Sequence, residues 1–552
     1  MRKAVLIFCF LLTIVSTSMA GDTIPANDKL IEYTGRIDFA DSLAPEFSYS
    51  GVSIRVGFHG SSIAAILNDD QGNNYYNVIL DGVVHNIIYV TSGRDTYILA
   101  EGLEDRVHEI ELFRRTELTF GKTKFHGFIL DEGAVLEPIT NTREFLIEYI
   151  GNSITCGYGN EGLLGESFGP ATENHYLTYA AITSRNFNAR HLAVSRSGIG
   201  IYRNYDGPPE GNSDCMTNLY SRIFLYDEQP LYDFAVQPDV VCINLGTNDF
   251  STSGGDSALY VSNYFRLIDT LQVRYSMPEI VCLLGPMMSG GTLEAVRSYL
   301  QFISDSADKK GMGNVSFFEM STQGSLGYGV DYHPTVPQHE KNAEELTAFL
   351  KSLMNWKIHP LIKKAKTLAE NHVLVEFNTE VYDPEDNYEG FSLFTNQAEY
   401  SISLAYRDTT NLSVIHLLLD EDLSHEDDIY LTYLPGSIES EDSVRLRAFR
   451  GLQVENTLTA PEHVVIRDNR ISIELFPNPN TDGILQYSIK SQAETYRELR
   501  FKILAPSGLL FQQGSLKNCE GLINLAFLAG GMYFIQIEGE NFFQTLPFIV
   551  IA

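Results

Sequence analysis

The chain has 552 residues, too many for a single hydrophobic core, and a formal net charge of −32 at pH 7. Hydrophobic residues make up 44% and charged residues 20% of the sequence, which is typical of a folded soluble protein. The negative charge disfavours nucleic acid and anionic membranes as partners because both would repel the protein, whereas a neutral glycan is compatible with it.

The first twenty residues have the pattern of a signal peptide. A basic pair, Arg2 and Lys3, precedes a short apolar run, and small residues ending at Ala20 form a cleavage site. The apolar run is shorter than the roughly 20 residues that a membrane-spanning helix needs. We therefore predict that residues 1–20 are a signal peptide, that the protein is exported and that it has no transmembrane anchor.

The periodicity of the apolar residues changes several times along the chain. Short alternating runs broken by turn residues fill residues 21–140 and predict a β-sandwich of the jelly-roll type. From 141 to 360, apolar runs alternate with helical stretches, which predicts a parallel sheet with helices on both faces. Alternation returns in 361–465, and a last β-rich module fills 466–552. The expected fold is therefore multidomain: a jelly roll, an α/β/α domain and two β-sandwich modules.

The α/β region is predicted in more detail. Its strands are expected at 145–150, 191–195, 239–245, 279–284 and 315–319, and its helices near 171–190, 258–275, 293–310 and 338–355. In such folds ligands bind beyond the carboxyl ends of the strands. The residues at these ends are therefore the candidates for function.

Cysteine use predicts neither a disulfide scaffold nor a metal site. Of six cysteines, Cys9 lies in the predicted signal peptide, so an odd number remains, and none has the spacing of a zinc site. Acidic stretches such as Glu426–Asp428 are interpreted as solvated loops rather than calcium sites. We therefore expect no metal and no cofactor.

Three strand ends carry residues suited to acyl transfer. Ser153 follows the first strand at a strand-to-helix turn, where its hydroxyl is expected to be exposed and its backbone N–H can bind an oxyanion. Gly198 follows the second strand, and its lack of a side chain lets a substrate approach its N–H. Asn248 follows the third strand, and its side-chain amide can donate a further hydrogen bond.

A histidine near the end of the α/β region completes this set. His333 lies in the loop before the last predicted helix, where a general base for Ser153 would lie. Each of these short patterns is common by itself. Four of them in this order, all at strand or loop ends of one α/β module, favour a serine hydrolase.

Four short segments resemble the signature blocks of the SGNH, or GDSL-like, hydrolases: Gly151–Thr155 (GNSIT), Ser197–Gly198, Gly246–Asp249 (GTND) and Asp331–Pro334 (DYHP). The runs 125–134, 150–160 and 197–204 are similar to carbohydrate esterase family two, in which a jelly roll precedes an SGNH domain. The resemblance covers about residues 34–357.

This resemblance implies an esterase that removes acetyl groups from polysaccharides or oligosaccharides of the xylan or mannan type. It implies Ser153 as nucleophile and His333 as base. It also implies an oxyanion hole formed by the backbone N–H groups of Ser153 and Gly198 and by the side chain of Asn248. An aromatic residue beside the base can stack on a sugar, so Tyr332 is a candidate for substrate binding, with simple packing as the alternative. Tyr202 and Tyr205 are further candidates at the rim of the cleft.

Two positions depart from the family pattern. The aspartate usual in the first block is Asn152, a change expected to be tolerated because the neighbouring serine hydroxyl does the chemistry. The aspartate usual three residues before the histidine is replaced by Val330, and Asp331 is only two residues before it. Either Asp331 orients His333, which we favour from the sequence, or a backbone carbonyl such as that of Tyr332 accepts its Nδ1–H.

The C-terminal module resembles the sorting domain of type IX secretion. The segments that carry this resemblance are Phe476–Pro479 (FPNP), a strand run at 499–504 and Gly530–Ile537 (GGMYFIQI). It implies export by the type IX machinery across both membranes of a Gram-negative bacterium, to the medium or the cell surface. The preceding module, with Leu431–Gly436 (LTYLPG), resembles an immunoglobulin-like spacer.

Two other functions stay open from the sequence. One is a glycan-binding surface protein with an inactive esterase domain, which the complete set of Ser153, Gly198, Asn248 and His333 disfavours. The other is an SGNH esterase or lipase for other acyl esters. The lack of a long apolar loop near the site disfavours a lipase.

Overall fold

The computed structural model describes most of the chain after residue 20. The described residues are 21–458 apart from 253, 386–387, 389 and 397, then 464–467, 471–476, 483–491, 499–516, 520–539 and 542–550. The predicted signal peptide and residues 477–479 of the FPNP segment lie outside them. The chain forms two compact units. The larger contains the residues up to Ala365 with His372–Asp420 and Ile429–Val454, and the smaller contains Lys366–Asn371, Glu421–Asp428 and the residues from Glu455 onward.

Strand alternation at the start of the chain produces the predicted β-sandwich. Its strands are β1 Asp22–Ile24, β2 Glu32–Thr34, β3 Ile37–Asp38, β4 Glu46–Phe47, β5 Ser53–Gly60, β6 Ile63–Asp69, β7 Asn74–Leu80, β8 Val83–Val90, β9 Gly93–Ala100, β10 Arg106–Arg114, β11 Thr123–Leu130 and β12 Val135–Glu137. One sheet has the order β3-β4-β11-β6-β9 with β1 beside β11, and the other β12-β5-β10-β7-β8 with β2 beside β5. Ile54 and Val56 of β5 share one apolar core with Ala65 and Leu67 of β6, from the opposite sheet.

The α/β region has the predicted parallel sheet. Its elements are β13 Leu146–Gly151, α1 Ser153–Cys156, α2 Tyr179–Asn186, β14 Arg190–Ser195, α3 Met216–Leu219, β15 Val240–Asn244, α4 Ser257–Arg274, β16 Glu279–Leu284, α5 Gly290–Lys309, β17 Val315–Glu319 and α6 Val336–Met354. The strand order is β14-β13-β15-β16-β17, and every pairing is parallel. Because successive strand residues point to opposite faces, Val241 and Ile243 of β15 join one core cluster and Val240 and Cys242 join another. The sheet is thus buried on both faces, as predicted.

The helices show where the sequence prediction holds and where it is wrong. Helices α4, α5 and α6 lie within a few residues of their predicted positions, but the helix predicted at 171–190 is limited to α2. Asn174 and Thr178 accept the backbone N–H groups of Tyr176 and Ala181 and so start two separate turns, because capping side chains interrupt a continuous helix. Among the helices that the structure describes, none is both long and apolar enough to span a bilayer.

The next part of the chain is β-rich, as predicted. Its strands are β18 Ile362–Ala369, β19 His372–Phe377, β20 Phe391–Thr395, β21 Glu399–Tyr400, β22 Ile402–Arg407, β23 Val414–Leu419, β24 Ile429–Tyr433 and β25 Phe449–Val454. Within the larger unit, β19, β23 and β22 are neighbours in one sheet, and another sheet has the order β21-β20-β24-β25. Alternate residues such as Val373, Val375 and Leu417 are buried.

The smaller unit contains the last predicted β-rich module. The strands of this module are β26 Val464–Arg467, β27 Ile471–Phe476, β28 Ile484–Ser491, β29 Leu499–Leu504, β30 Leu510–Leu516, β31 Glu520–Asn524, β32 Gly531–Gly539 and β33 Phe542–Val550. They form two antiparallel sheets, of order β26-β27-β28-β31 and β30-β29-β32-β33. Ile473, Leu485, Ile503 and Ile535 belong to a core of this unit's own.

Candidate active site

The carboxyl ends of three neighbouring strands bring the predicted site segments to one edge of the sheet. The last residue of β13, Gly151, pairs in register with Ser195 at the end of β14 and with Asn244 at the end of β15. Because these strands are parallel, the loops that follow them leave the sheet at the same edge. These loops carry the predicted serine, glycine and asparagine.

Ser153 is the first residue of helix α1. The Asn152 side-chain oxygen caps this helix by accepting the backbone N–H of Ile154 at 3.1 Å. An amide oxygen caps a helix as well as a carboxylate does, so Asn152 is compatible with a position where related blocks have Asp. The first N–H groups of a helix have no partner within it, which leaves the N–H of Ser153 for a substrate. The hydroxyl of Ser153 was expected to be exposed, but the residue Ser153 is only 8% exposed.

Ser153 and His333 form a hydrogen-bonded pair. The serine Oγ lies 2.9 Å from Nε2 of His333, and Nδ1 of the same ring lies 3.1 Å from the carbonyl oxygen of Val330. A carbonyl oxygen can only accept, so Nδ1 carries the hydrogen and Nε2 accepts from the serine hydroxyl. This is the tautomer that a general base for Ser153 requires.

The expectation that Asp331 orients His333 is wrong. The Asp331 carboxylate accepts a hydrogen bond from the Tyr158 hydroxyl at 2.7 Å. The Nδ1–H of His333 donates to a backbone carbonyl, which was the alternative expectation. The acceptor is the carbonyl of Val330 and not that of Tyr332. Asp331 and Tyr332 both have left-handed backbone conformations, with φ of 49° and 62°. This unusual turn brings the Val330 carbonyl to the ring and leaves the Asp331 side chain in an exposed position.

The surroundings of His333 favour its neutral form. Burial lowers the pKa of His333 and outweighs the Val330 carbonyl and the Asp331 charge, both of which raise it. The Tyr158 ring covers the imidazole at a centroid distance of 4.2 Å, and Phe168 stacks on Tyr158 at 3.5 Å. The imidazole is therefore neutral at neutral pH and able to take a proton.

Gly198 and Asn248 lie on the loops beside this pair. Gly198 has a φ of 79°, in the left-handed region that glycine adopts without strain. Asn248 is buried, and one of its amide hydrogens donates to the carbonyl oxygen of Ile199 at 2.7 Å. Its second amide hydrogen is left for another acceptor. The contact links the two loops that carry the predicted oxyanion donors.

Asp249 reinforces this link, and the sequence analysis did not single it out. Its buried carboxylate accepts the backbone N–H groups of Ile201, Tyr202 and Arg203 at 2.9–3.1 Å. Burial raises the pKa of Asp249 to about 6, although these hydrogen bonds act in the opposite direction. The carboxylate anchors the segment that follows Gly198. Its place directly after Asn248 in the GTND block was the signal that could have identified it.

The predicted substrate tyrosines lie in different environments. Tyr332 is 60% exposed, and its ring meets that of Tyr328 edge-on at 5.5 Å. Tyr202, by contrast, is 3% exposed, and its hydroxyl accepts the backbone N–H of Asp256, the residue before α4. Tyr205, the other candidate at the cleft rim, is 63% exposed and donates its backbone N–H to the carbonyl of Gly198 at 2.8 Å.

One buried group in the described part of the chain has side chains of the metal-ligand type. The ligand atoms of Glu117, Cys156 and Glu173 lie within 4.8 Å of one another. Burial raises the pKa of Cys156 and of Glu173 well above the ordinary values, which favours the neutral form of both side chains. The thiol of Cys156 donates to Oε2 of Glu117 at 3.6 Å, so these side chains form part of a buried hydrogen-bond network.

Two family models match the chain. The family described as carbohydrate esterase 2 N-terminal matches residues 33–139, and the GDSL-like lipase/acylhydrolase family matches residues 149–341. The cellulase/esterase CelE of Acetivibrio thermocellus is 39% identical over 329 residues, which are 59% of this chain but only 40% of CelE. An acetylxylan esterase / glucomannan deacetylase of Cellvibrio japonicus is 28% identical, over 60% of this chain and 92% of that protein.

Solved structures support the same relationship. A family two carbohydrate esterase from Clostridium thermocellum, in complex with cellohexaose, is 37% identical with a TM-score of 0.56, over 59% of this chain and 99% of that one. A family two carbohydrate esterase from Cellvibrio japonicus is 26% identical with a TM-score of 0.56, over 61% and 99% of the two chains. This chain, which is thus homologous to carboxylic-ester hydrolases, belongs to carbohydrate esterase family two.

Proposed function

We propose that this protein is a secreted esterase that removes O-acetyl groups from polysaccharides, with Ser153 as nucleophile and His333 as general base. The observation that carries the proposal is the hydrogen bond of 2.9 Å between Ser153 Oγ and His333 Nε2, at the strand ends where an α/β fold binds ligands. The names of the relatives, cellulase/esterase and acetylxylan esterase / glucomannan deacetylase, support the substrate class. We infer acetylated xylan or mannan-type polysaccharide as substrate.

In the first half of the reaction, the Ser153 oxygen attacks the carbonyl carbon of the acetyl group while Nε2 of His333 takes the hydroxyl proton. The tetrahedral intermediate carries a negative oxygen. This intermediate collapses by breaking the bond to the sugar oxygen, which receives the proton from Nε2 and leaves as the free sugar hydroxyl. The product on the enzyme is an acetyl ester of Ser153.

In the second half, water attacks the acetyl ester with His333 again as base, and collapse returns the proton to Ser153 Oγ and releases acetate. The Val330 carbonyl keeps the Nδ1–H in place through both steps, because it accepts from Nδ1 whether or not Nε2 is protonated. A serine–histidine dyad supported by a backbone carbonyl therefore suffices for this mechanism.

The oxyanion of each intermediate needs preorganised donors. We propose the backbone N–H groups of Ser153 and Gly198 and the second amide hydrogen of Asn248 for this role. The Asn248–Ile199 hydrogen bond and the Asp249 contacts support it, since they fix both loops before substrate binds. Donors already in position stabilise the developing charge without further reorganisation.

Exposed aromatic rings support a glycan as the leaving group. Tyr205, which is next to Gly198 through a backbone hydrogen bond, and the Tyr328–Tyr332 pair near His333 present large rings to solvent. Such rings stack on the apolar faces of sugars. We propose that they hold the polysaccharide on either side of the acetyl group that reacts.

The test is release of acetate from acetylated xylan and acetylated glucomannan. Ser153→Ala should abolish release and leave the melting temperature close to that of the wild type. Ser276→Ala is the matched control, because this serine is exposed near the opposite, amino-terminal edge of the sheet. A Ser153→Ala variant that keeps wild-type activity would exclude the serine mechanism. A wild-type protein that binds these glycans without releasing acetate would favour the glycan-binding alternative.

We further propose export by type IX secretion, with residues 1–20 as signal peptide and the C-terminal module as sorting domain. The described parts of the resembling segments support it: the strand run at 499–504 is β29 and most of Gly530–Ile537 lies in β32, adjacent strands of one sheet. The smaller unit also has an apolar core of its own, which is consistent with a sorting domain that folds separately.

A further inference from the structure

A carboxylate of the β-sandwich reaches the active-site loops. Glu117 follows β10 and precedes the 3₁₀ turn Leu118–Phe120, but its side chain makes no capping hydrogen bond with that turn. It is 1% exposed, and Oε2 accepts the backbone N–H of Ser197 at 2.8 Å. Ser197 directly precedes Gly198, so the contact is one peptide unit from a proposed oxyanion donor.

The same carboxylate oxygen contacts the helix that carries the nucleophile. The thiol of Cys156 donates to Oε2 of Glu117 at 3.6 Å. Cys156 is the last residue of α1, and Ser153 is the first. One oxygen atom therefore links the end of the nucleophile helix to the start of the oxyanion loop.

Neighbouring contacts hold Glu117 itself in place. Its backbone N–H donates to Oε2 of the fully buried Glu173 at 2.8 Å. Arg115, two residues earlier, is paired with Glu161 of the α/β region. Burial, and after it the charge of Glu117, raises the pKa of Glu173, and a neutral Glu173 would not repel the Glu117 carboxylate. Glu117 is therefore rigidly placed before any substrate binds.

We infer that Glu117 is a positioning residue of the esterase: its carboxylate sets the Ser197–Gly198 peptide and helix α1 so that the Gly198 and Ser153 N–H groups point at one oxyanion. This inference rests on the proposed function. Oxyanion donors act only when they lie about 2.7–3.1 Å from the developing charge. The β-sandwich thus supplies part of the active-site framework, which gives a physical reason for its place directly before the α/β domain.

The contact, and not the negative charge, is the useful property of Glu117. A negative charge near the oxyanion disfavours a negative transition state, so electrostatics alone would select against a carboxylate here. An acceptor oxygen at the right distance is what the Ser197 N–H needs. The length of the side chain should therefore matter more than its charge.

The experiment varies length and charge separately. Glu117→Asp keeps the charge but withdraws the oxygen by one carbon–carbon bond, about 1.5 Å. We expect kcat for acetate release to fall about 10- to 100-fold, because a displacement of about 1 Å can cost that much, with KM unchanged. Glu117→Gln keeps the length and an acceptor oxygen, so its kcat should stay within about threefold of the wild type.

The neutral variants Glu117→Asn and Glu117→Gln repeat the comparison of a short with a long side chain, without a buried charge. We expect kcat of Glu117→Asn to lie below that of Glu117→Gln by the same factor as kcat of Glu117→Asp lies below that of the wild type. The test therefore stays valid if the aspartate variant fails to fold. Lys122→Gln is the control, because the Lys122–Asp227 ion pair also joins the β-sandwich to the α/β domain. This control should change neither kcat nor KM.

A double-mutant cycle adds a readout that a merely structural role would not move. If Glu117 acts through the oxyanion loop, Glu117→Asp should cost less in an Asn248→Ala background than in the wild type, because both changes weaken the same stabilisation. Additive losses of kcat would overturn the inference.

Two other results would also overturn it: short variants with wild-type kcat, or a loss of kcat in Glu117→Gln as large as that in Glu117→Asp, because the length of the side chain would then not explain the effect. A wild-type protein that releases no acetate would instead reject the proposed function, and this inference with it.

Discussion

Replacing Asp331 by Asn should lower kcat by less than about tenfold, whereas replacing His333 by Ala should lower it about 100- to 10,000-fold. The reason is the partner of Nδ1. The Val330 carbonyl accepts the Nδ1–H at 3.1 Å, so the reactive tautomer of His333 does not depend on the Asp331 carboxylate. Loss of His333 removes the base itself.

The size of the Asp331 effect follows from its contacts. In a Ser–His–Asp triad, loss of the orienting carboxylate costs about 10,000-fold, or about 5.4 kcal/mol at 1.36 kcal/mol for each factor of ten. Here the variant weakens one hydrogen bond from Tyr158 to an exposed side chain, worth about 0.5–1.5 kcal/mol. Asn also tolerates the left-handed backbone at Asp331, where Ala would add about 1–2 kcal/mol of strain.

Initial rates of acetate release at saturating acetylated xylan, with melting temperatures for each variant, measure this difference. Tyr158→Phe is the matched control, because it removes the same hydrogen bond and keeps the Asp331 charge. Both variants should retain most of kcat. An Asp331→Asn variant as inactive as His333→Ala would refute the reasoning and make Asp331 a full member of a triad.

Other predictions concern pH, backbone geometry and export. The acidic limb of kcat/KM should lie below about pH 6.5, the ordinary histidine pKa, because burial lowers the pKa of His333 and only the neutral ring takes the serine proton. In Asp331→Asn the limb should move to still lower pH, because the Asp331 charge raises that pKa; an upward shift would contradict His333 as the base. Gly198→Ala should lower kcat with little change in KM, because a φ of 79° strains alanine and displaces the N–H, although the added methyl meets Tyr205 only at 3.8 Å. Wild-type kcat in that variant would argue against Gly198 as a donor. Deleting the chain from Val464 onward should leave acetate release unchanged and retain the protein in the periplasm; a normal amount of truncated enzyme in the medium, found by cell fractionation, would contradict the sorting role.

Much of the fold could be predicted from periodicity alone. Alternation of apolar residues identified the β-sandwich strands, and apolar runs between helical stretches identified a sheet buried on both faces. These signals are strong because every residue of an element contributes to them. The helix predicted at 171–190 failed because two capping side chains, those of Asn174 and Thr178, outweigh a helical apolar pattern over a short stretch.

The sequence also determined which side chains gather at the site. Parallel strands end at one edge, so the segments after three neighbouring strands had to lie close together. The hydrogen bond between Ser153 and His333 agrees with that reasoning. The catalytic roles of these residues stay predictions until the variants are measured.

Only the tertiary structure decided what supports these residues. The acceptor for His333 depends on two left-handed residues, Asp331 and Tyr332, whose backbone angles leave no periodic trace in the sequence. Which tyrosine is exposed, Tyr205 rather than Tyr202, depends on how a buried aspartate folds the loop. Glu117 is 80 positions from Ser197 along the chain, and their contact exists only because the β-sandwich packs on the α/β domain. Local patterns predict helices and strands because residues close in sequence belong to the same element. Contacts between loops that are distant in sequence arise from packing, and no local pattern predicts them.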